Sequence, residues 1–223
     1  MDKYLKKIIW LVLIAPAAYL AIIWNQLPEK VALHFNFHGT PDRYGSKIEL
    51  VIGIAVLTGV AAAIYLFLPL VYKIDPKKTA SGNKTSLQRL AFAIAVFMSF
   101  VSYIVIDSVK RGNIHLNIRL IFGGIGLLWC IMGNYMHTIK PNYFAGFRLP
   151  WTLNNDENWR KTHLLASKLW FAGGLLIIIG CIAAPVIIAT VIFILVTIPI
   201  VVVPCVYSYR LYKKQKALNA INK

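Results

Sequence analysis

The chain has 223 residues, 58% of them hydrophobic and only 14% charged, with a mean hydropathy of +0.65. Ordinary globular domains carry roughly 25% charged residues, so this composition excludes a water-soluble domain. The net charge of +16, from 24 basic against 8 acidic side chains, would point to nucleic acid in a soluble protein; with this apolar content it points to cationic loops on an anionic lipid surface, and no direct nucleic-acid partner is expected.

A helix that crosses a bilayer needs about 20 mostly apolar residues. The first candidate is Ile8–Trp24, behind Lys3, Lys6 and Lys7. It is long for a signal-peptide core and ends in "IIWNQLP" without a small-residue cleavage pattern, so it is read as a retained helix. In "VALHFNFHGTPDRYGSK" (Val31–Lys47), Val31, Leu33, Phe35 and Phe37 alternate with Ala32, His34, Asn36 and His38. Period-two alternation predicts an extended segment with one wet face, and "GTPD" a turn. His34, Asn36 and His38 then point the same way and, with Asp42, form a candidate ligand- or partner-binding face. A metal centre is not expected. Two histidines four residues apart on a strand lie about 13 Å apart, too far for one ion with ligands at about 2.0–2.1 Å.

The second span is Leu50–Tyr72, and "DPKKTASGNKTS" (Asp75–Ser86) reads as a solvated linker. The third span is Leu90–Ile106 and the fourth Leu116–Met136. Asp107 ends the third and Arg119 opens the fourth, a pair expected to pin the two helices together. The absence of acids nearer the midplane weighs against proton-coupled transport. Gly123, Gly124, Gly126, Gly173, Gly174 and Gly180 suit close helix packing. Cys130, Cys181 and Cys205 lack metal-ligand spacing and read as small core hydrophobes.

"KPNYFAGFRLPWTLNNDENWRKTH" (Lys140–His163) breaks the apolar pattern. Pro141, Gly146 and Pro150 make its first half a loop, with Tyr143, Phe144, Phe147 and Trp151 as a headgroup-level aromatic belt. Asn154 with Glu157 resembles a capping box. Trp159, His163, Ala166 and Trp170 then recur on one face of an amphipathic helix that runs towards the fifth span. Adjacent Asp156 and Glu157 point to different helix faces and make a poor acid–base pair. No nucleophile motif accompanies His163, which reads as a satisfied interfacial residue; an enzyme would need a convergent pocket, for instance from His137, Arg148 and His163.

The last apolar stretch, Leu169–Tyr207, would as one helix cover about 58 Å against a bilayer core of about 30 Å. It must fold back, and Pro185 is the predicted turn, with Pro199 and Pro204 kinking the final helix. With the N-terminus inside, the inner segments carry 18 Lys and Arg and the outer ones 6. That bias favours both termini inside, an arrangement that only an even helix number gives, which supports the split of the last stretch. The predicted fold is an all-α polytopic membrane protein of six transmembrane helices with cytoplasmic termini. It has a short extended outer segment between helices 1 and 2 and an amphipathic cytoplasmic helix before helix 5. Residues 1–73 form a helix pair with its outer loop, 74–88 a linker, and 89–223 a four-helix region with a cytoplasmic loop at 137–168.

Three motifs carry a family resemblance: "GNYM" (Gly133–Met136), "KPNYFAGFRLPWTL" (Lys140–Leu153) and "WRKTH" (Trp159–His163). They resemble the SdpI family of bacterial membrane proteins, and "LPEKVALHFNFHGTPDRYGSK" resembles the small domain of unknown function that often precedes it. His137, Phe147 and Leu149 depart from the residues common in that pattern. The matching cytoplasmic signature residues are Pro141, Asn142, Gly146, Arg148, Pro150, Trp151, Thr152, Trp159, Thr162 and His163. The resemblance implies a non-enzymatic, multi-pass protein of the bacterial inner membrane. It would confer immunity to a secreted membrane-active toxic peptide met at the outer face. In the best-known system such a protein also holds a cytoplasmic winged-helix repressor at the membrane. The lipid bilayer is the remaining partner and no cofactor is implied. The alternative reading is a small-molecule transporter or efflux component.

Overall fold

The computed structural model describes residues 3–36, 38–112 and 116–221. Phe37 lies outside them, as do residues 113–115 of the loop after the third span. Among the described residues six helices are long and apolar enough to cross a membrane, and the only sheet is two-stranded.

Helix α1 spans Lys3–Ile22. Strands β1 (Lys30–Phe35) and β2 (Pro41–Ser46) follow and pair antiparallel. The extended outer segment is therefore half of a hairpin, and its partner is the stretch the turn signal introduced. Ser46 then starts α2 (Lys47–Phe67) with a capping box: its hydroxyl accepts from the Glu49 N–H, and the Glu49 carboxylate accepts from the Ser46 N–H at 3.0 Å. This reciprocal bond satisfies two donors that a helix start leaves open. Short 3-10 turns at Leu68–Lys73 and Lys78–Asn83 lead into α3 (Lys84–Lys110). Next come α4 (Ile118–Met136), a single turn α5 (Pro150–Leu153), and α6 (Asp156–Ala183). Helix α6 absorbs both the amphipathic segment and the fifth span without a break. The chain turns at Pro185, as predicted, into α7 (Val186–Ile221), which runs on through Pro199 and Pro204.

The cap of α6 is Asn155, whose side chain accepts from the Asn158 N–H at 2.7 Å. The expected Asn154–Glu157 box is thus displaced by one residue; Glu157 instead pairs with Lys161 at 2.6 Å. The Asp107–Arg119 pair does not form either. Asp107 is one helical turn before Arg111 and binds it at 2.9 Å. Arg119 reaches the end of α6, its Nε donating to the Cys181 carbonyl at 2.7 Å and Nη2 to that of Ile182 at 3.0 Å. It satisfies carbonyls left open at a helix C-terminus, where a cation also meets the negative end of the dipole.

Helices α1, α2 and α3 share a core of Ile9, Leu13, Ala61, Tyr65, Ala91 and Ala95. A second cluster carries Leu20, Ile54 and Ile106 up to Val31 of the hairpin. Helices α4, α6 and α7 pack around Phe122, Ile177, Cys181 and Ala189. In a bilayer, helix association rests on close packing because lipid is as apolar as leucine. The α4–α6 seam shows this: a Cβ on Gly174 would lie 2.4 Å from the Gly126 carbonyl oxygen, and one on Gly133 would lie 2.6 Å from the Phe171 nitrogen. The two groups of helices meet at both ends. Leu90 of α3 packs with Met136, Ile139, Trp159 and Ala166. At the hairpin end the Leu116 N–H donates to the Gly39 carbonyl at 2.8 Å.

Candidate functional site

The Lys140–His163 stretch lies at the end of the bundle that carries both termini. It is held by bonds that its own residue types make. Asn142, 2% exposed, folds the loop around its side chain. Its Oδ1 accepts from the Phe144 and Ala145 N–H groups, and its Nδ2 donates to the Lys140 and Ala145 carbonyls, all within 2.7–3.1 Å. Pro141 beside it is buried. Gly146 then adopts φ +102°, where a Cβ would lie 2.3 Å from His163 Nε2. Only glycine allows both that backbone and that approach. The approach lets the Phe147 N–H donate to His163 Nε2 at 3.1 Å.

His163 is buried, with Nδ1 2.8 Å from the Trp159 carbonyl and its ring stacked on Trp159 at 4.0 Å. Nε2 accepts, so Nδ1 carries the proton and the imidazole is neutral. Trp159 donates from Nε1 to the Ile139 carbonyl at 2.8 Å. The Thr152 hydroxyl accepts from the Leu149 N–H at 2.9 Å and faces the Phe147 carbonyl at 2.6 Å. Pro150 sits at the start of α5, where its missing N–H costs nothing. Trp151 donates to Ser208 Oγ of α7 at 2.9 Å and stacks on Tyr212. Thr162 donates to Asn158 Oδ1 at 3.1 Å, and Asn158 Nδ2 donates to the Ser208 carbonyl at 3.0 Å. Arg148 is exposed, its Nη1 donating to the Tyr143 carbonyl at 2.9 Å.

Trp159, His163, Ala166 and Trp170 do share the packed face of α6, as their spacing predicts. The aromatic belt is only half formed. Tyr143 and Phe144 stay exposed, while Phe147 packs edge-on against His163 and Trp170 and Trp151 turns onto α7. His137, Arg148 and His163 do not converge: His163 is spent inside the loop, Arg148 turns back on Tyr143, and His137 lies 3.5 Å from Ser167. Among the described residues, no buried side-chain nitrogen or oxygen lacks a partner.

The segment Asp75–Ser86, read as a solvated linker, is exposed at Pro76, Ser81, Gly82, Lys84 and Thr85 but is tied to the signature loop by three of its side chains. Asp75 accepts from the Tyr143 N–H at 2.8 Å, Lys77 Nζ donates to the Leu153 carbonyl at 2.5 Å, and Asn83 is fully buried. Asn83 Nδ2 donates to the Lys140 carbonyl at 3.0 Å and its Oδ1 accepts from the Lys140 N–H at 2.7 Å. Asn83, Asp75, Asn158 and Ser208 are site residues that sequence reasoning missed. Their partners lie 50 or more residues away, beyond the reach of local spacing, although Asn83 at a helix start was a visible signal.

At the opposite end, His34 Nδ1 and Asp42 Oδ1 lie 2.6 Å apart across the hairpin. The common wet face of His34, Asn36 and His38 does not form. Strand β1 ends at Phe35 and its register slips on either side of His34. Ala32, expected on the wet face, is fully buried. Asn36 Oδ1 turns back to accept from the His38 and Thr40 N–H groups at 2.9 and 3.0 Å. It shapes the turn, an ordinary use of a short amide side chain.

Six apolar helices with an internally braced polar loop at one end define a multi-pass helical membrane protein. Residues 138–208 match the SdpI/YfhL protein family, and residues 11–59 match a domain of unknown function, DUF1648. The segment Lys140–Leu153, "WRKTH" and the outer segment from Leu27 to Lys47 fall inside these two matches, where the resemblance led us to expect them. The first match runs from the signature loop to Ser208, the residue that clamps it; the second covers most of α1, the hairpin and half of α2. The Immunity protein SdpI of Bacillus subtilis (strain 168) is 26% identical over 196 residues, covering 86% of this chain and 88% of that protein. No solved structure matches the chain.

Proposed function

We propose that this chain is an immunity protein of the bacterial inner membrane, protecting its cell from a secreted membrane-active peptide by binding it. The observation that carries this is the near end-to-end match to the Bacillus subtilis immunity protein. The satisfied state of the signature loop agrees with it, since a loop that spends its polar groups on itself supports a scaffold better than a reaction centre. In this reading the 18 basic residues of one side face the cytoplasm with both termini. The hairpin, with its His34–Asp42 pair, faces outward where a peptide arrives. A deletion strain complemented by this gene should survive toxic peptides of its own and neighbouring species at doses that kill the deletion strain. Equal killing of both strains sinks the reading.

A second reading adds reception. The exposed Tyr143, Phe144 and Arg148 at the loop tip are the surface on which a cytoplasmic winged-helix repressor would dock. Crosslinking from a photoreactive residue at position 144 in toxin-treated cells should then capture the repressor, and capture should fail without toxin.

A further inference from the structure

Between α3 and α4 the two groups of helices part and leave a cavity of about 940 Å³. Its walls are apolar: Phe97 and Phe100 of α3, Gly124 and Leu127 of α4, and Ile178 of α6. Gly124 matters to its shape, because a Cβ there would press on the Phe97 ring at 3.0 Å. Phe100 and Leu127 are 39% and 55% exposed, so the cavity opens sideways where the bilayer lies. Ala93 and Ile131 line both this cavity and a second one of about 600 Å³, which continues the groove towards the far end of the bundle.

The mouth at the hairpin end holds Asn117 and Arg119. Nε and Nη2 of Arg119 are spent on the α6 carbonyls, but its Nη1 has no protein partner among the described residues. No carboxylate lies within ion-pair distance of Arg119 among them either. Each acid at this end is engaged elsewhere: Glu29 with Lys47, Asp42 with His34, Glu49 with Arg43 and Asp107 with Arg111. An un-neutralised guanidinium therefore stands at the interfacial end of an apolar slot. Guanidinium groups match phosphate geometry, and basic side chains between transmembrane helices select anionic headgroups.

We propose that the α3–α4 groove is a binding site for an anionic phospholipid, with its phosphate on Arg119 and its acyl chains between Phe97, Phe100 and Leu127. The site does not depend on the immunity reading. It is tested on the purified full chain in detergent, by native mass spectrometry and thermal unfolding with added phosphatidylglycerol or phosphatidylcholine. Phosphatidylglycerol should bind about tenfold more tightly, because phosphatidylcholine brings a choline cation that opposes the Arg119 charge beside the same phosphate, and should alone raise the unfolding midpoint. Arg119→Gln should bring the two lipids to parity, whereas Arg119→Lys should keep the preference. Leu127→Trp, a change at an exposed position that leaves the α6 cap intact, should weaken the binding of both lipids. An undiminished preference in Arg119→Gln would overturn the proposal. So would normal lipid binding in Leu127→Trp, the same midpoint shift from inorganic phosphate alone, or a peptide retained in place of lipid.

Discussion

Gly146 and Asn83 are the two residues on which the signature loop turns, and they act by opposite means. Gly146 matters for what it lacks. At φ +102° with His163 Nε2 2.3 Å from a would-be Cβ, Gly146→Ala combines backbone strain with a clash against a packed ring. The expected cost is about 1–3 kcal/mol, the usual range for such strain, read as a lower unfolding midpoint in detergent. Asn83 matters for what it supplies: one amide holds both the N–H and the carbonyl of Lys140. Asn83→Ala leaves the Lys140 N–H without its partner, at about 1–3 kcal/mol, while the Lys140 carbonyl keeps the Asn142 amide; an unchanged midpoint would refute the role. Gly146 was legible as a breaker beside Pro141 and Pro150, though not its positive φ or its approach to His163. The pairing of Asn83 with Lys140 was not legible, since no local pattern specifies a contact across 57 residues.

Elements were read most easily where one physical demand dominates. Span lengths follow from bilayer thickness and the break at Pro185 from the missing N–H, so six helices and their order emerge from hydropathy alone. Side-chain partnerships between elements did not. Asp107 had two basic candidates, and the helical neighbour Arg111 won by being held one turn away. That freed Arg119 to close the end of α6. The hairpin was half visible: β1 showed its alternation, while β2, "PDRYGS", carries no apolar periodicity and pairs because the turn returns it to β1. The glycines, alike in sequence, separate sharply in the structure. Gly174→Leu should abolish recovery of monodisperse protein, because the atom in its way is the Gly126 carbonyl, which no rotamer change can move. Gly53→Ala has open space around it and should stabilise the chain by about 0.5–1 kcal/mol, the helix-interior difference between the two residues. Equal tolerance at the two positions would mean that α4 and α6 do not meet through their backbones.

At the scale of the whole molecule, the charge asymmetry and the even number of spans make one prediction. With single cysteines at positions 44 and 213 in a chain whose native cysteines are replaced, a membrane-impermeant maleimide should label position 44 in intact cells. It should reach position 213 only after permeabilisation; the reverse pattern would invert the topology. Both sites are exposed, so the readout reports sidedness rather than burial. The structure also sets an order on how the protein can be made. Trp151 and Asn158 find their partner, Ser208, well along the last helix. A ribosome delivers that helix after every other part of the bundle is in place. Until then the Trp151 indole and the Asn158 amide lack the partner they find in the finished protein, so a chain truncated before Ser208 should be cleared by membrane proteases faster than the full one.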